Sequence, residues 1–516
     1  MSIPARAAAA VVAITATLAA ATATADRFVD AVNAAYARLA EDRRSELVLL
    51  PTLIEMDAPP ELLLQRADRA ALMTPSSPAW STAEAWATSD TQQAVLEALA
   101  TITEETNPRR AMQFALPYGI NGIPTSFIRA GVHAELGDPP TLASAQLGYM
   151  ERLHWLKVLV DIETTRLVEA GDAEAAVNMN LDLAAFARQM AERQLGQEVE
   201  WAYETIASAM RRVRDAVYVD GKGARSLTSS FLVDTVKSID VDRGLYRVDR
   251  LRMPTGDKQS ALQLAERVFD RAGRPDQAIF PSVMAEMAAT GRPLRLFGEA
   301  GRWAERVESH ASQSQTRQAV EGVYNDWNTR WNSDPYDPIQ SQTSTFQRLE
   351  SRSEDFSLIT QAVPDLGRLL DLRKGVQAET VGTRVALASQ ALTLATGTKA
   401  SSLALLRPRY VDDLGVDPFN PNTDLGNRPE FLYFVPERDD VNGDRHRMNV
   451  VPRLRTNFSV TLTRDDFVVY SPGGNGADDR AVNVSDNPSA AIGDYLVWPP
   501  VVSLTREHLR QTGAQE

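Results

Sequence analysis

The chain contains no cysteine. That excludes disulfide staples, thiolate metal sites and thiol nucleophiles. It leaves export open, because a large core needs no staple. Histidine is almost as scarce, with only His133, His154, His310, His446 and His508 in 516 residues. None of them forms an HxH or HExxH pair, so a histidine-rich zinc site is not expected. Positive charge is also short: 54 Lys and Arg stand against 68 Asp and Glu, a formal charge of −14. Such a surface repels nucleic acid and anionic lipid, and no nucleic-acid partner is expected. The local run Arg211-Arg212-Val213-Arg214 reads as a solvated turn of helix. Nucleotide and nucleophile signatures are absent too. Gly221-Lys222-Gly223 and Thr255-Gly256-Asp257-Lys258 lack the spacing that wraps backbone N–H groups around phosphate and read as turns. No GxSxG elbow occurs.

What is present begins with a leader. Arg6 precedes an apolar run from Ala7 to Ala21, Ala23-Thr24-Ala25 supplies small residues, and charge begins at Asp26. This is the order of a secretory signal. The run is shorter than the roughly 20 residues that span a bilayer comfortably. Residues 1–25 are therefore expected to be a signal peptide, and the rest a periplasmic or secreted chain with no stable transmembrane segment. A retained anchor and a buried helix are the alternatives.

The remaining chain is too long for one ordinary hydrophobic core, and its 44% apolar content suffices for several packed units. Apolar residues at three- and four-residue spacings predict helices from Asp26 to about Arg44, Thr91 to Ile102, Leu262 to Phe269, Ile279 to Ala289 and Ala319 to Trp331. Between them, the Pro- and Gly-rich stretch 108–140 reads as an irregular connection. The signal is strongest from Thr141 to Val219, where stripes such as Leu142, Tyr149, Leu153, Leu156 and Val160 predict antiparallel helical hairpins. Gln340 to Ser353 is polar and reads as a linker. The expected layout is an N-terminal helical region (26–140), a helical domain (141–333), a linker with short helices (334–370), a small α+β module (371–500) and a C-terminal tail (501–516). The fold class is mainly α: a multi-helix antiparallel bundle followed by a small α+β module with a long helix and a short antiparallel sheet.

Two constellations draw attention. Trp327 and Trp331, beside Asp326, Asn328 and Asn332, would suit a sugar ring if exposed. In a helix they are i,i+4 neighbours, and mutual packing is the favoured reading. Glu104-Glu105 and Asp465-Asp466 are adjacent acids, but glycoside hydrolysis needs a controlled separation across a cleft that adjacency does not supply.

In the C-terminal module, Val376 to Ala395 predicts a helix, and Phe431–Val435, Asn457–Leu462 and Phe467–Tyr470 predict strands. Asp417-Pro418-Phe419, Tyr470-Ser471-Pro472-Gly473 with Asn475-Gly476, Asp478-Asp479, and later Asp494 and Trp498 punctuate it. This pattern resembles the periplasmic domain of the major pseudopilin of type II secretion, over about residues 371–500. The whole chain also resembles large uncharacterised envelope proteins of planctomycete-like bacteria. In pseudopilins a late acidic loop binds calcium; the resemblance implies Asn475, Asp478, Asp479 and Asp494 as ligands here. Calcium takes about six to eight hard oxygens, which a Gly-rich acidic loop can supply, although Asp, Asn and Gly are also ordinary turn formers. Two features depart from that family. Its methylated anchor sits directly on the long helix, and this N-terminus lacks the signature; Asp439 to Thr456 reads as an insertion.

Taken together, these readings favour an exported non-enzymatic envelope protein of scaffold or interaction type, with envelope proteins as its partners. The alternatives are an exported hydrolase with a site near the 108–140 loop and a periplasmic glycan- or solute-binding protein.

Overall fold

The computed structural model describes residues 26–513, apart from 66, 106, 108, 241–249, 289–295, 422–428, 440–444, 454–456, 464–465 and 491. The leader therefore lies outside the described residues, as does Asp465. Among the described residues no helix is long and apolar enough to cross a membrane.

The chain is mainly α, with a small sheet near its C-terminus. The principal helices are α1 (Arg27–Asn33), α2 (Glu46–Glu55), α3 (Asp90–Thr103), α4 (Tyr149–Glu169), α5 (Ala173–Met190), α6 (Gly196–Lys222), α7 (Ser229–Ser238), α8 (Gly256–Arg267), α9 (Gln313–Asn332), α10 (Leu366–Thr396) and α11 (Val501–Thr512). Helices α4, α5 and α6 form the expected hairpins. Asp172 caps α5 by accepting the Ala175 N–H at 3.1 Å, and Gly171 at φ +82° makes the tight turn before it. Helix α6 packs against α5 on one side and α10 on another. It is the axis of the molecule, and most of it is buried.

Several boundaries differ from the sequence expectation, each for a local reason. Helix α1 stops at Asn33 because the Asn33 side chain bonds both the N–H and the C=O of Tyr118, which docks the 108–140 connection there. That connection is largely irregular, as expected, with one short helix at Thr125–Arg129 and a two-residue strand pair, β1 (Ala134–Glu135) with β2 (Gln146–Leu147). The polar stretch read as a linker folds into a short helix, Thr345–Glu350. Ser344 and Gln347 form a capping box, and Phe346 and Leu349 are buried. Helix α10 begins at Leu366, ten residues before the expected Val376, because Asp365 caps it through the Gly367 N–H at 2.9 Å. The C-terminal tail is a packed helix, α11, with Val501 and Leu504 buried.

The sheet has six strands in the order β3 (Leu432–Phe434), β6 (Val468–Ser471), β8 (Asp494–Trp498), β7 (Asn483–Ser485), β4 (Arg445–Val451), β5 (Phe458–Thr463). It is mixed rather than antiparallel, since β7 runs parallel to both β4 and β8. Strand β4 occupies the stretch read as an insertion. Central strand β8 is buried throughout. Tyr495 and Val497 face the main core beneath α10, while Leu496 enters a second apolar cluster closed by Val501 and Leu504 of α11. That two-sided burial explains the unbroken apolar run of β8.

Candidate functional site

The Arg211–Arg214 run corrects the expectation of a solvated turn. Arg212 and Arg214 are buried and Arg211 is half-buried. Across the seam, Glu379 of α10 accepts from Arg211 Nη1 at 2.8 Å and Arg214 Nη2 at 2.6 Å. Arg214 Nη1 also donates to the Thr383 hydroxyl at 2.6 Å. On the other side, Arg212 pairs with Asp161 of α4 at 3.2 Å and with Asp215. Asp215 in turn receives Arg506 Nη2 at 2.6 Å and the Ser503 hydroxyl at 2.5 Å, both from α11. Burial alone would raise the carboxyls of Glu379 and Asp215. The facing guanidiniums outweigh it, Arg214 and Arg211 for Glu379, Arg506 and Arg212 for Asp215, and hold both acids below the usual carboxylate range.

A third buried group lies at the α5–α6 turn. Arg193 donates to Glu198 at 2.6 Å, and Glu198 also accepts the hydroxyls of Tyr118 and Tyr149. The guanidinium carbon lies 4.4 Å from the Tyr118 ring centre and 4.5 Å from that of Tyr36. Burial raises all three tyrosine hydroxyls above their ordinary range, and Tyr118 and Tyr149 stay protonated as donors to Glu198 at neutral pH. Beside them the Thr255-Gly256-Asp257-Lys258 motif clasps two helix starts. The Gly256 N–H bonds the Gln194 C=O at 2.8 Å, and Asp257 accepts the Gly196 N–H at 2.7 Å. A Cβ at Gly256 would lie 2.6 Å from that carbonyl oxygen, so only glycine fits.

Around Arg193 opens a cleft of about 740 Å³, within the size range of small-molecule sites. Its walls come from α3, α5, the 111–114 stretch and residues 250–253. It carries four arginines, Arg188, Arg193, Arg250 and Arg252, against Glu105 and Glu192. Arg188 pairs with Glu192 at 2.7 Å, and Glu105 pairs outward with Arg110 at 2.9 Å. Sequence reading missed this cleft because its cations lie on distant stretches that only the fold brings together. A second cleft, of about 660 Å³, lies between α6, α10 and the 486–489 turn. Of its arginines, Arg211 is matched by Glu379 and Arg368 by Glu200, while exposed Arg453 donates to the Asn487 side chain.

The acidic loop expected to hold calcium is a tight turn. Asp494 is buried, accepting the N–H groups of Asp479 at 3.1 Å and Ala481 at 2.7 Å. Asp478 accepts from the Arg480 N–H at 2.8 Å and the Tyr470 hydroxyl at 3.1 Å. Asn475 accepts the Ala477 N–H at 3.0 Å, and Asp479 accepts from Asn483 at 3.4 Å. The four residues are thus gathered in one loop, with oxygens turned to its own backbone and neighbours. Among the described residues no group of three or more His, Asp or Glu side chains is placed to hold a metal ion. Trp327 and Trp331 are buried, and the Trp331 indole N–H donates to the Leu251 C=O at 2.7 Å.

No family model, no curated protein and no solved structure matches the chain.

Proposed function

We propose that the chain is an exported, non-enzymatic protein of the cell envelope, acting as a scaffold or docking body for other envelope proteins. The observation that carries the reading is the use made of its buried charge. Glu379, Asp215 and Glu198 each meet arginines from neighbouring segments, and these pairs tie α4, α6, α10 and α11 into one body. In this reading the buried ionic contacts fix how the segments register, since breaking one would leave an uncompensated buried charge. The 108–140 connection offers little to the hydrolase reading: its Tyr118 is buried and bonded to Glu198. The burial of Trp327 and Trp331 leaves the glycan reading without its stacking platform. Export rests on the charged, apolar, small-residue order of the leader.

Fractionation of the source cells followed by N-terminal sequencing tests the reading. The expected product starts at Asp26 in the envelope or periplasmic fraction, and cross-linking in intact cells joins it to other envelope proteins. An intact chain starting at Met1 in the cytosol would overturn it.

A further inference from the structure

The cleft beside Arg193 is charged against the trend of the molecule. The chain as a whole is at −14, yet this cavity is lined by two more cations than anions. The excess is not absorbed by the protein. Arg250 and Arg252 are exposed at the mouth and form no ion pair with a described carboxylate. Deeper in, Arg188 Nε is shielded from solvent and has no hydrogen-bond partner. The Arg193 Nη atoms face the Tyr36 and Tyr118 rings, and those faces stabilise the charge without accepting a directed hydrogen bond. An unbonded donor is uncommon in native interiors, and Arg188 Nε, beside two exposed unpaired arginines on the same cavity, calls for an acceptor. The rest of the wall is mixed: Ile102, Met112, Phe114 and Met253 supply apolar surface, and Thr103, Gln113, Gln189 and Gln194 supply neutral polar groups.

We propose that this cleft binds a small organic anion, its carboxylate or phosphate head held by Arg188, Arg250 and Arg252 and its apolar body against Phe114 and Met253. Half-exposed Tyr36 lines the same cleft, its ring against the Arg193 guanidinium. Arginine suits such a head because its planar fork matches two oxygens at once. The inference goes beyond the scaffold reading and stands or falls separately from export.

Calorimetric titration of the full soluble chain with benzoate, phenyl phosphate and inorganic phosphate tests it. Benzoate or phenyl phosphate is expected to bind one to one, more weakly as salt rises. The tighter of the two identifies the head group. The double variant Arg250→Gln/Arg252→Gln is expected to lose about tenfold or more in affinity. Both positions are exposed, so its circular dichroism should match the parent. Arg274→Gln, at an exposed arginine remote from the cleft, should bind as the parent does. Absence of binding by both aryl anions would overturn the proposal and leave water as the acceptor. So would inorganic phosphate binding as tightly as phenyl phosphate, or an unchanged affinity in the double variant.

Discussion

At the seam between α6 and α10, one buried glutamate meets two arginines. In the turn beside β8, a buried aspartate meets only backbone N–H groups. Both acids are buried, but they are shifted in opposite directions. Glu379 is held below the ordinary carboxylate range by Arg214 and Arg211 against the effect of burial. Asp494 is pushed up to about 6, chiefly by burial, with the nearby Asp478 and Asp479 charges adding to it and two N–H groups only partly offsetting it. Buried Asp417 is likewise pushed up to about 6 by burial, with hydrogen bonds from Ser471 and two backbone N–H groups only partly offsetting it. The comparison separates two ways of burying an acid. An opposite charge makes it a fastener between segments, whereas backbone donors let it hold a turn in a strained shape at the cost of its ionisation. The strain is visible in Arg480 and Ala481, non-glycine residues at φ +54°.

The largest expected effect breaks the fastener. Glu379→Ala takes from buried Arg214 its paired carboxylate and leaves Arg211 with only the more distant Asp486, and removing one member of a buried pair costs about 3–5 kcal/mol. Urea unfolding should show a loss of that size, with Glu379→Gln falling between the variant and the parent. A loss below about 1 kcal/mol, the range of exposed pairs, would mean that the seam is wet and that the contrast with Asp494 is not one of charge pairing.

The same seam has an apolar half. Gly382 of α10 lies directly over β8, where an added Cβ would come within 2.8 Å and 3.0 Å of the two Val497 methyls. Val497 is fully buried in a central strand and has little room to move. Helix propensity would favour Gly382→Ala by up to about 1 kcal/mol. Overpacking should outweigh that and give a net loss of about 1–2 kcal/mol. Combining it with Val497→Ala should recover part of the loss, because the second change removes the atoms in the way. A variant as stable as the parent would show that helix and sheet can separate without penalty.

How much of this was legible in the sequence follows the same division between apolar and charged contacts. Apolar periodicity located α3 to within a residue at each end and marked stripes within α4, α5, α6 and α9, because each buries a continuous stripe, although α9 begins six residues before the expected Ala319. It also found β3, β5 and β6. Strand β4 was missed although His446, Met448 and Val450 alternate with Arg445, Arg447 and Asn449. Its outward charges hid a genuine two-residue period. The Arg211–Arg214 run was misread because a charged residue's burial depends on its partner, and Glu379 lies more than 160 residues away. The cleft was invisible for the same reason, since Arg188 and Arg250 meet only after folding. The sequence also did not show that Asp478 and Asp494 accept backbone N–H groups of the turn while Asp479 accepts from the Asn483 side chain.

The smallest expected effect is a slope against pH, and its sign follows from the two shifts. Asp494 binds its proton more tightly folded, near 6, than its ordinary value of 3.8. Its contribution is therefore fully present below the ordinary value and lost as pH rises through about 6. Glu379 and Asp215, held low, behave oppositely, and their contribution is lost only as pH falls below the ordinary carboxylate range. Between about pH 5 and 7 the raised acids dominate, and the parent should lose on the order of 1 kcal/mol as pH rises. Asp494→Asn should flatten that slope without abolishing it, because Asp417 and Asp257, the latter pushed up to about 7 by burial, still titrate there. A calcium arm sharpens the result. An ion bound by Asp478, Asp479 and Asp494 would keep Asp494 ionised and remove the same slope in the parent, whereas a turn held by backbone alone would melt identically in calcium and in chelator. An Asp494→Asn slope equal to the parent's would mean that the buried aspartate never titrates in this window, and the proposed difference between seam and turn would fail.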